Sequence, residues 1–307
     1  MTIRPFDVQI NGYAGVDFCS ASLTADELHH ACQVLRKDGV EGFLFTLITD
    51  TVPSLTEKLK NLAKLRSTDP LAKKMIAGVH IEGPFLNPET GYIGAHPPEA
   101  VVPATPDAAQ RLLDAADGLT RIFTLAPEQD EGGRTTQHLV DQGIAVSAGH
   151  CNPSLDQLHE SIDSGLSMVT HFGNGCPVTL PRHDNVLQRF LTYRDRLWFS
   201  FIPDGAHVDF YALRNYLDLV GVDHAVMITD AITAATLEPG LHEISGMTVE
   251  VDENGVARRP GSANLAGSTV TMPQIQENLK LHLGLSDHDI RQLIDVNPRR
   301  AAGLEEA

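Results

Sequence analysis

Four acidic and histidine residues stand at the ends of separate strand-like segments of this 307-residue chain. Glu82 lies in HIEG, His150 follows VSAG, His171 follows MVT, and Asp230 follows MIT. Two neutral imidazoles and one carboxylate are a ligand set of catalytic zinc sites, which keep an open position for water. We therefore predict that Glu82, His150 and His171 hold a metal ion, and that Asp230 acts as an acid/base beside it.

Each of these residues also has a purely structural interpretation. Strand alternation puts His80 and Glu82 on one face, where they could form a buried ion pair or a hydrogen-bonded network. A single histidine at a strand end is more often a core residue than a ligand, and Asp230 is of a type favoured at helix N-caps. The metal interpretation is favoured because His150 and His171 stand one strand-helix unit apart, at matched positions on neighbouring strands.

Eight short segments rich in β-branched and apolar residues alternate with amphipathic segments. The eight are VQI near Val8, GFLFTLIT from Gly42, MIAGVHIEG from Met75, RIFTLAPE from Arg121, IAVSAGHC from Ile144, SMVTHFGNG from Ser167, LWFSFIPDG from Leu197 and HAVMITDA from His224. Several of the helical patterns between them end on Gly, as helix C-termini do. Eight strands separated by helices predict a (β/α)8 TIM barrel, whose sites lie at the C-terminal ends of the strands.

Residues 1–307 contain no linker, so we expect a single barrel domain. The segment that begins at Leu241, LHEISGMTVEVDENGVARRPG, differs from the rest. Its period-two alternation and its Asp-Glu-Asn-Gly turn predict a β-hairpin inserted after the last barrel strand.

The composition excludes several classes of protein. A formal net charge of −17, without a block of Lys or Arg, argues against a nucleic-acid partner. The four cysteines form no C-x-x-C pair, which fits a reducing compartment and a zinc site built from His and carboxylate. No apolar run reaches the roughly 18–20 residues of a membrane span, and the start has no signal-peptide pattern. A cytoplasmic enzyme with no membrane partner is expected.

Several short motifs follow one another over nearly the whole chain. They are DVQING at Asp7, HIEGPFLNP at His80, GAH at Gly94, SAGHCNPS at Ser147, THFGNGCP at Thr170, PDGAHVD at Pro203, TDA at Thr229 and LAGS at Leu265. In this combination and order the sequence resembles the N-acetylglucosamine-6-phosphate deacetylase family of the amidohydrolase superfamily. The resemblance implies metal ligands at Glu82, His150 and His171 and a catalytic aspartate at Asp230.

The resemblance also implies a set of substrate contacts. They fall on Ala95, His96, Asn174, Gly175, Arg182, His207, Leu265, Ala266 and Gly267. Arg182 and His207 are the implied phosphate partners, because an acidic protein that binds an anion needs a local group of cations.

The first strand bears on the number of metals. Many amidohydrolases carry H-x-H there for a second metal, whereas this chain has Gln9 and Asn11, as in the single-metal members of the family. We expect one divalent ion per chain, zinc first, although sites of two histidines and a carboxylate also accept iron and other divalent ions. Gln9, Asn11 and His80 are expected beside the metal ligands.

Three departures from the family pattern concern the surroundings of the site. The family usually carries a small β-sandwich, for which this chain leaves no residues, so we expect a barrel that stands alone or covers its bottom as a homodimer. The loop ETGYIGAH differs from the lysine-containing family version, and GNGCP replaces a bulkier run. Both loops are expected on the sugar side of the site.

The implied reaction converts N-acetylglucosamine-6-phosphate, or a closely related N-acetyl amino-sugar phosphate, to acetate and the amino-sugar phosphate. Asp230 would take a proton from the attacking water and return it to the departing amine, while the metal and His96 stabilise the oxyanion. Two alternatives stay open. One is another amidohydrolase, acting on a cyclic amide or on a non-phosphorylated or galacto-configured sugar. The other is a catalytically silent sugar-phosphate binding protein.

Overall fold

The computed structural model describes residues 3–244, 246–261 and 264–304 of the chain. Its strands are β1 Phe6–Ile10, β2 Gly12–Tyr13, β3 Val16–Asp17, β4 Gly42–Ile48, β5 Ile76–Glu82, β6 Thr120–Leu125, β7 Ala145–Ala148, β8 Leu166–Val169, β9 Trp198–Phe201, β10 Ala225–Met227, β11 Gly240–Ile244, β12 Met247–Val251 and β13 Ala257–Arg258. Its α-helices are α1 Ala25–Lys37, α2 Val52–Thr68, α3 Pro70–Met75, α4 Pro106–Ala115, α5 Arg134–Val140, α6 Leu155–Asp163, α7 Val186–Thr192, α8 Phe210–Val220, α9 Met272–Leu281, α10 Asp287–Arg291 and α11 Asn297–Ala301.

Eight parallel strands form the central sheet, in the order β1-β4-β5-β6-β7-β8-β9-β10. The first and last strands approach each other beyond the end of β10. There the N–H of Asp230 donates to the Gln9 carbonyl at 3.0 Å, and the N–H of Asn11 donates to the Ala231 carbonyl at 2.7 Å. The sheet therefore curls into the predicted TIM barrel, and each of the eight predicted strand segments supplies one barrel strand.

The helices that surround the barrel follow from local sequence signals. In α1 the Thr24 hydroxyl accepts from the N–H of Glu27, whose side chain accepts from the N–H of Thr24, a capping box. The residues of α1 that face the core recur at helical spacing, namely Leu28, Ala31, Cys32 and Leu35. None of the described helices is long and apolar enough to cross a membrane.

The insertion after the last barrel strand is larger than a hairpin. Strands β11 and β12 pair antiparallel, with Gly240 opposite Val251, and β12 also pairs antiparallel with β13. The predicted Asp-Glu-Asn-Gly turn therefore joins β12 to β13, where the Asp252 carboxylate accepts from the backbone N–H groups of Asn254 and Val256. The result is a small three-stranded sheet with its own apolar cluster, which includes Ile244 and Val249.

Candidate active site

Three predicted ligands meet at the C-terminal end of the barrel. The Nε2 of His171 lies 3.1 Å from the Glu82 Oε1, and the Nε2 of His150 lies 3.3 Å from the same oxygen. The two histidine Nε2 atoms are 3.0 Å apart, and all three side chains are buried. Two nitrogens and one carboxylate oxygen within 3.3 Å of one another suit zinc or another divalent cation.

The orientation of the His150 ring supports a metal role for its Nε2. The His150 Nδ1 lies 2.8 Å from the carbonyl oxygen of Tyr92, which can only accept a hydrogen bond. Nδ1 therefore carries a proton, and Nε2 is the ring atom that faces Glu82 and His171. A backbone carbonyl that fixes the tautomer in this way is a usual companion of a metal-bound histidine.

The backbone at three of the site residues is strained. His150, His171 and Asp230 have φ values of 50°, 34° and 48°, in the left-handed region that favours glycine. Such conformations cost on the order of 1–3 kcal/mol each and persist where the surrounding structure enforces them. Each of these residues follows its strand within three positions. The strained turns leave all three side chains lining the mouth of the barrel.

Asp230 lies beside the three-ligand group and is held there by two amides. Its Oδ1 accepts from the Asn11 Nδ2 at 2.6 Å and from the Gln9 Nε2 at 3.0 Å. The Gln9 Nε2 also donates to the Glu82 Oε2 at 3.2 Å, so one amide bridges the two carboxylates. Gln9 and Asn11 thus lie beside the predicted ligands, where they donate hydrogen bonds to carboxylate oxygens.

Burial and neighbouring groups shift the pKa values of the two carboxyl groups, Glu82 and Asp230, in opposite directions. Burial, with the negative charge of Glu82, raises the pKa of Asp230 above its ordinary value. Burial also acts to raise the pKa of Glu82, but the ring nitrogens of His150 and His171, within 3.3 Å of its Oε1, outweigh it and hold that pKa well below the usual range. Of the two carboxyl groups, Glu82 is therefore the one that favours the charged form, and Asp230 is the one whose pKa is raised.

His96 completes the group around the three ligands. Its Nε2 lies 3.2 Å from the His150 Nε2 and 3.9 Å from the Glu82 Oε1. Burial, followed by the proximity of His150, lowers the pKa of His96 to about 3, so its ring is neutral. We call Glu82, His96, His150, His171 and Asp230 the floor of the site.

His80, the other charged residue predicted on this strand face, lies deeper in the barrel. Its Nδ1 donates to the Val8 carbonyl at 3.1 Å, and its Nε2 accepts from the Thr124 hydroxyl at 2.7 Å. Burial lowers the pKa of His80 to about 4, so the ring is neutral. The side chain belongs to a hydrogen-bonded network of the barrel interior that continues from Thr124 to Thr170.

A cavity of about 600 Å³ opens above the floor. Its walls come mainly from the loop after β8 and from the three-stranded sheet with the segment that follows it. The structure places most of the predicted substrate contacts on this cavity, namely Ala95, His96, Asn174, Gly175, His207, Leu265, Ala266 and Gly267. We call residues 173–180 and 244–267, as far as they are described, the wall of the site.

Arg182 is the predicted contact that the structure does not bring to the cavity. Its side chain is exposed on the loop between β8 and α7, outside the cavity lining. The arginine that lines the cavity among the described residues is Arg258, whose Nη1 lies 3.5 Å from the Asp252 Oδ2. His207 lines it too, with its Nδ1 2.6 Å from the Asp204 Oδ2. Outside the floor, the groups of the described cavity lining that can carry a positive charge are thus Arg258 and, when protonated, His207.

Among the residues that the sequence did not predict at the site, Thr49 and Arg258 matter most for the chemistry proposed below. Thr49, directly after β4, contacts His96 and is described below. Arg258 lies in the inserted sheet, where alternation alone does not say which face packs on the cavity. Thr49 ends the predicted strand segment GFLFTLIT, but a threonine has no acid/base chemistry that would single it out in the sequence.

Comparisons with known proteins place this arrangement in a family. No family model matches the sequence. The N-acetylglucosamine-6-phosphate deacetylase of Bos taurus is 33% identical over 312 residues, which cover 97% of this chain and 73% of the relative. The chain belongs to the N-acetylglucosamine-6-phosphate deacetylase family. A deacetylase of this name from Bacillus subtilis (strain 168) is 28% identical, over 97% of this chain and 74% of its own length.

Solved structures of the deacetylase family have the same fold as this chain. A variant of the N-acetyl-D-glucosamine-6-phosphate deacetylase of Mycobacterium smegmatis, in complex with N-acetyl-D-glucosamine-6-phosphate, superposes with a TM-score of 0.89 at 31% identity. The match covers 98% of this chain and 77% of that one. An N-acetylgalactosamine-6-phosphate deacetylase from Escherichia coli O157:H7 is also similar, at 27% identity over 97% of this chain and 77% of its own length. Similarity alone therefore does not fix the configuration of the sugar.

Proposed function

We propose that this chain hydrolyses the acetamide of N-acetylglucosamine-6-phosphate to acetate and glucosamine-6-phosphate. The observation that carries the proposal is the floor of the cavity. There, a buried Glu-His-His group lies beside a carboxyl group, Asp230, whose pKa is raised. Membership of the deacetylase family supplies the reaction and the substrate class that such a site would serve.

The metal requirement follows from the donor set. A divalent ion held by Glu82, His150 and His171 would polarise the amide carbonyl and lower the pKa of water at its open position. We propose one ion per chain, zinc before iron or another divalent ion. The positions at which a second metal would need ligands carry Gln9 and Asn11, whose amide groups donate to Asp230.

Asp230 would transfer the proton, and His96 would stabilise the negative charge that develops on the carbonyl oxygen. Asp230 takes a proton from the attacking water and delivers it to the departing amine, which needs a carboxyl group that titrates close to the working pH. His96 donates from Nε2 to the carbonyl oxygen as that oxygen becomes negative. Its neutral ring keeps the proton that this hydrogen bond needs.

The wall would bind the sugar phosphate. Arg258 and His207 both line the cavity, so we propose that they contact the phosphate, with the guanidinium of Arg258 as the charge-assisted partner. Their position on the cavity favours them over the exposed Arg182. The remaining wall contacts, among them Asn174 and Gly267, are left for the sugar ring.

An acetate-release assay tests the proposal against its alternatives. Protein stripped with a chelator and reloaded with zinc is given N-acetylglucosamine-6-phosphate, its galacto isomer, unphosphorylated N-acetylglucosamine and a cyclic amide. We expect zinc-dependent acetate release, fastest from N-acetylglucosamine-6-phosphate. Loss of the phosphate should lower kcat/KM by roughly tenfold or more, since a charge-assisted contact is missing.

Each other outcome of the assay counts against a stated part of the proposal. Faster hydrolysis of the galacto isomer or of the unphosphorylated sugar would overturn the substrate assignment. Opening of the cyclic amide would indicate a different amidohydrolase. Zinc-loaded protein that binds the sugar phosphate and releases no acetate would be the silent binding protein.

A further inference from the structure

A buried threonine, Thr49, contacts the Nδ1 edge of the His96 ring. The Thr49 Oγ1 lies 2.9 Å from the His96 Nδ1, and the backbone N–H of Thr49 points at the same nitrogen, with N and Nδ1 3.4 Å apart. Both residues are buried, with 3% and 6% of their surfaces exposed. Thr49 directly follows β4, so its position is fixed by the barrel.

These contacts distinguish between the two tautomers of His96. A neutral imidazole carries one proton, on Nδ1 or on Nε2. A backbone N–H can only donate, so the Thr49 N–H directed at Nδ1 disfavours a proton on that nitrogen. If Nδ1 is unprotonated, the Thr49 hydroxyl donates to it as well. The proton of the ring then lies on Nε2, the atom that faces His150.

The Thr49 hydroxyl has a competing acceptor. The carbonyl oxygen of Glu82 lies 3.2 Å from it, longer than the 2.9 Å to the His96 Nδ1. The backbone makes room for the hydroxyl at this point, because a Cβ at Gly83 would clash with the Thr49 Oγ1. The Thr49 hydroxyl thus fits between the end of β4, the end of β5 and the His96 ring.

We propose that Thr49 is a positioning residue that holds His96 in the tautomer protonated on Nε2. In this tautomer Nε2 is a hydrogen-bond donor for the carbonyl oxygen of the substrate. It has no lone pair with which to join Glu82, His150 and His171 as a further metal ligand. The catalytic consequence rests on the proposed deacetylase function, whereas the tautomer itself does not.

The experiment compares three variants of the zinc-loaded protein. Thr49→Val keeps the shape of the side chain and removes the hydroxyl, and Thr49→Ser keeps the hydroxyl. Thr46→Val is the matched control, because it removes a buried hydroxyl from β4 that bonds the N–H of Ile10 and has no hydrogen bond to His96. The His96 tautomer is read from the ¹⁵N shifts of histidine-labelled protein, with the His96 signals assigned by their loss in His96→Gln.

We expect a protonated Nε2 at His96 in the wild type, Thr49→Ser and Thr46→Val, and its partial or complete loss in Thr49→Val. In Thr49→Val, kcat for acetate release should fall roughly tenfold or more, with KM changed by less than about threefold. Thr49→Ser should restore most of kcat. Thr49→Val should cost little further activity in a His96→Gln background, because the two changes remove one shared interaction.

Wild-type protein with the His96 proton on Nδ1 would overturn the proposal. So would a wild-type tautomer in Thr49→Val, or an equal loss of kcat from Thr49→Val with His96 present or replaced. If His96 is protonated on Nε2 in a Thr49-dependent way but the protein releases no acetate, the deacetylase function is contradicted. The positioning role of Thr49 is then still supported.

Discussion

The floor and the wall of the cavity are built by different means. The floor residues are buried, apart from the half-buried Asp230, and they follow or end a barrel strand or, like His96, pack against residues that do. The wall comes from a loop and a small sheet outside the barrel, and it includes exposed groups. Arg258 has a side chain 40% exposed, and Val178 is fully exposed.

In the proposed function, the floor carries the chemistry and the wall carries the substrate specificity. The floor is held by strand pairing, by hydrogen bonds between buried groups and by three strained turns, so small changes there cost much of the function. The wall can change in length and composition without disturbing the barrel. We therefore expect floor substitutions to affect kcat and wall substitutions to affect KM.

The largest effect is expected at the floor, in Asp230→Asn. The substitution removes the proposed proton carrier, keeps the shape of the side chain and removes none of the three proposed metal ligands. Turnover should fall by at least the roughly 10²- to 10⁴-fold ascribed to a positioned acid/base. Steady-state kinetics, metal analysis and substrate binding by calorimetry check this. Turnover within about threefold of wild type would show that another group moves the proton.

A smaller effect is expected at the wall, from Arg258→Ala. Loss of a charge-assisted contact should raise KM for the phosphorylated substrate roughly tenfold and leave hydrolysis of the unphosphorylated sugar nearly unchanged. Metal content should stay the same, because Arg258 is not one of the proposed ligands.

Arg182→Ala is the matched control for Arg258→Ala, since it removes the same charge from an exposed position. We expect it to raise KM by less than about twofold, as usual for an exposed charge. The reverse order, with Arg182 the more important, would mean that the loop after β8 contacts the phosphate directly and that the family pattern, which assigns Arg182, takes precedence.

The floor could be predicted from the sequence better than the wall for a physical reason. Eight strands with helices between them define a barrel, and a barrel brings its strand ends together, so Glu82, His150, His171 and Asp230 were placed without knowledge of any loop. Thr49 was missed because a threonine at a strand end has no chemistry of its own, and it matters only through the ring that it contacts.

The wall depends on how surface segments fold over the barrel. The pattern after Leu241 predicted a hairpin, but the third strand, Ala257–Arg258, is only two residues long and has no visible alternation. No sequence signal therefore indicated that Arg258 would line the cavity. Arg182 was assigned only by resemblance, and the structure places it on the loop outside the cavity lining.

Metal-dependent acetate release tests the central claim most directly. Stripped protein is titrated with zinc while the initial rate of acetate release from N-acetylglucosamine-6-phosphate is measured, with His150→Ala as the control. We predict that the rate rises linearly, levels off at about one equivalent of zinc per chain, and stays at background in His150→Ala. A break near two equivalents, activity in the stripped protein, or full activity in His150→Ala would contradict a single metal held by Glu82, His150 and His171.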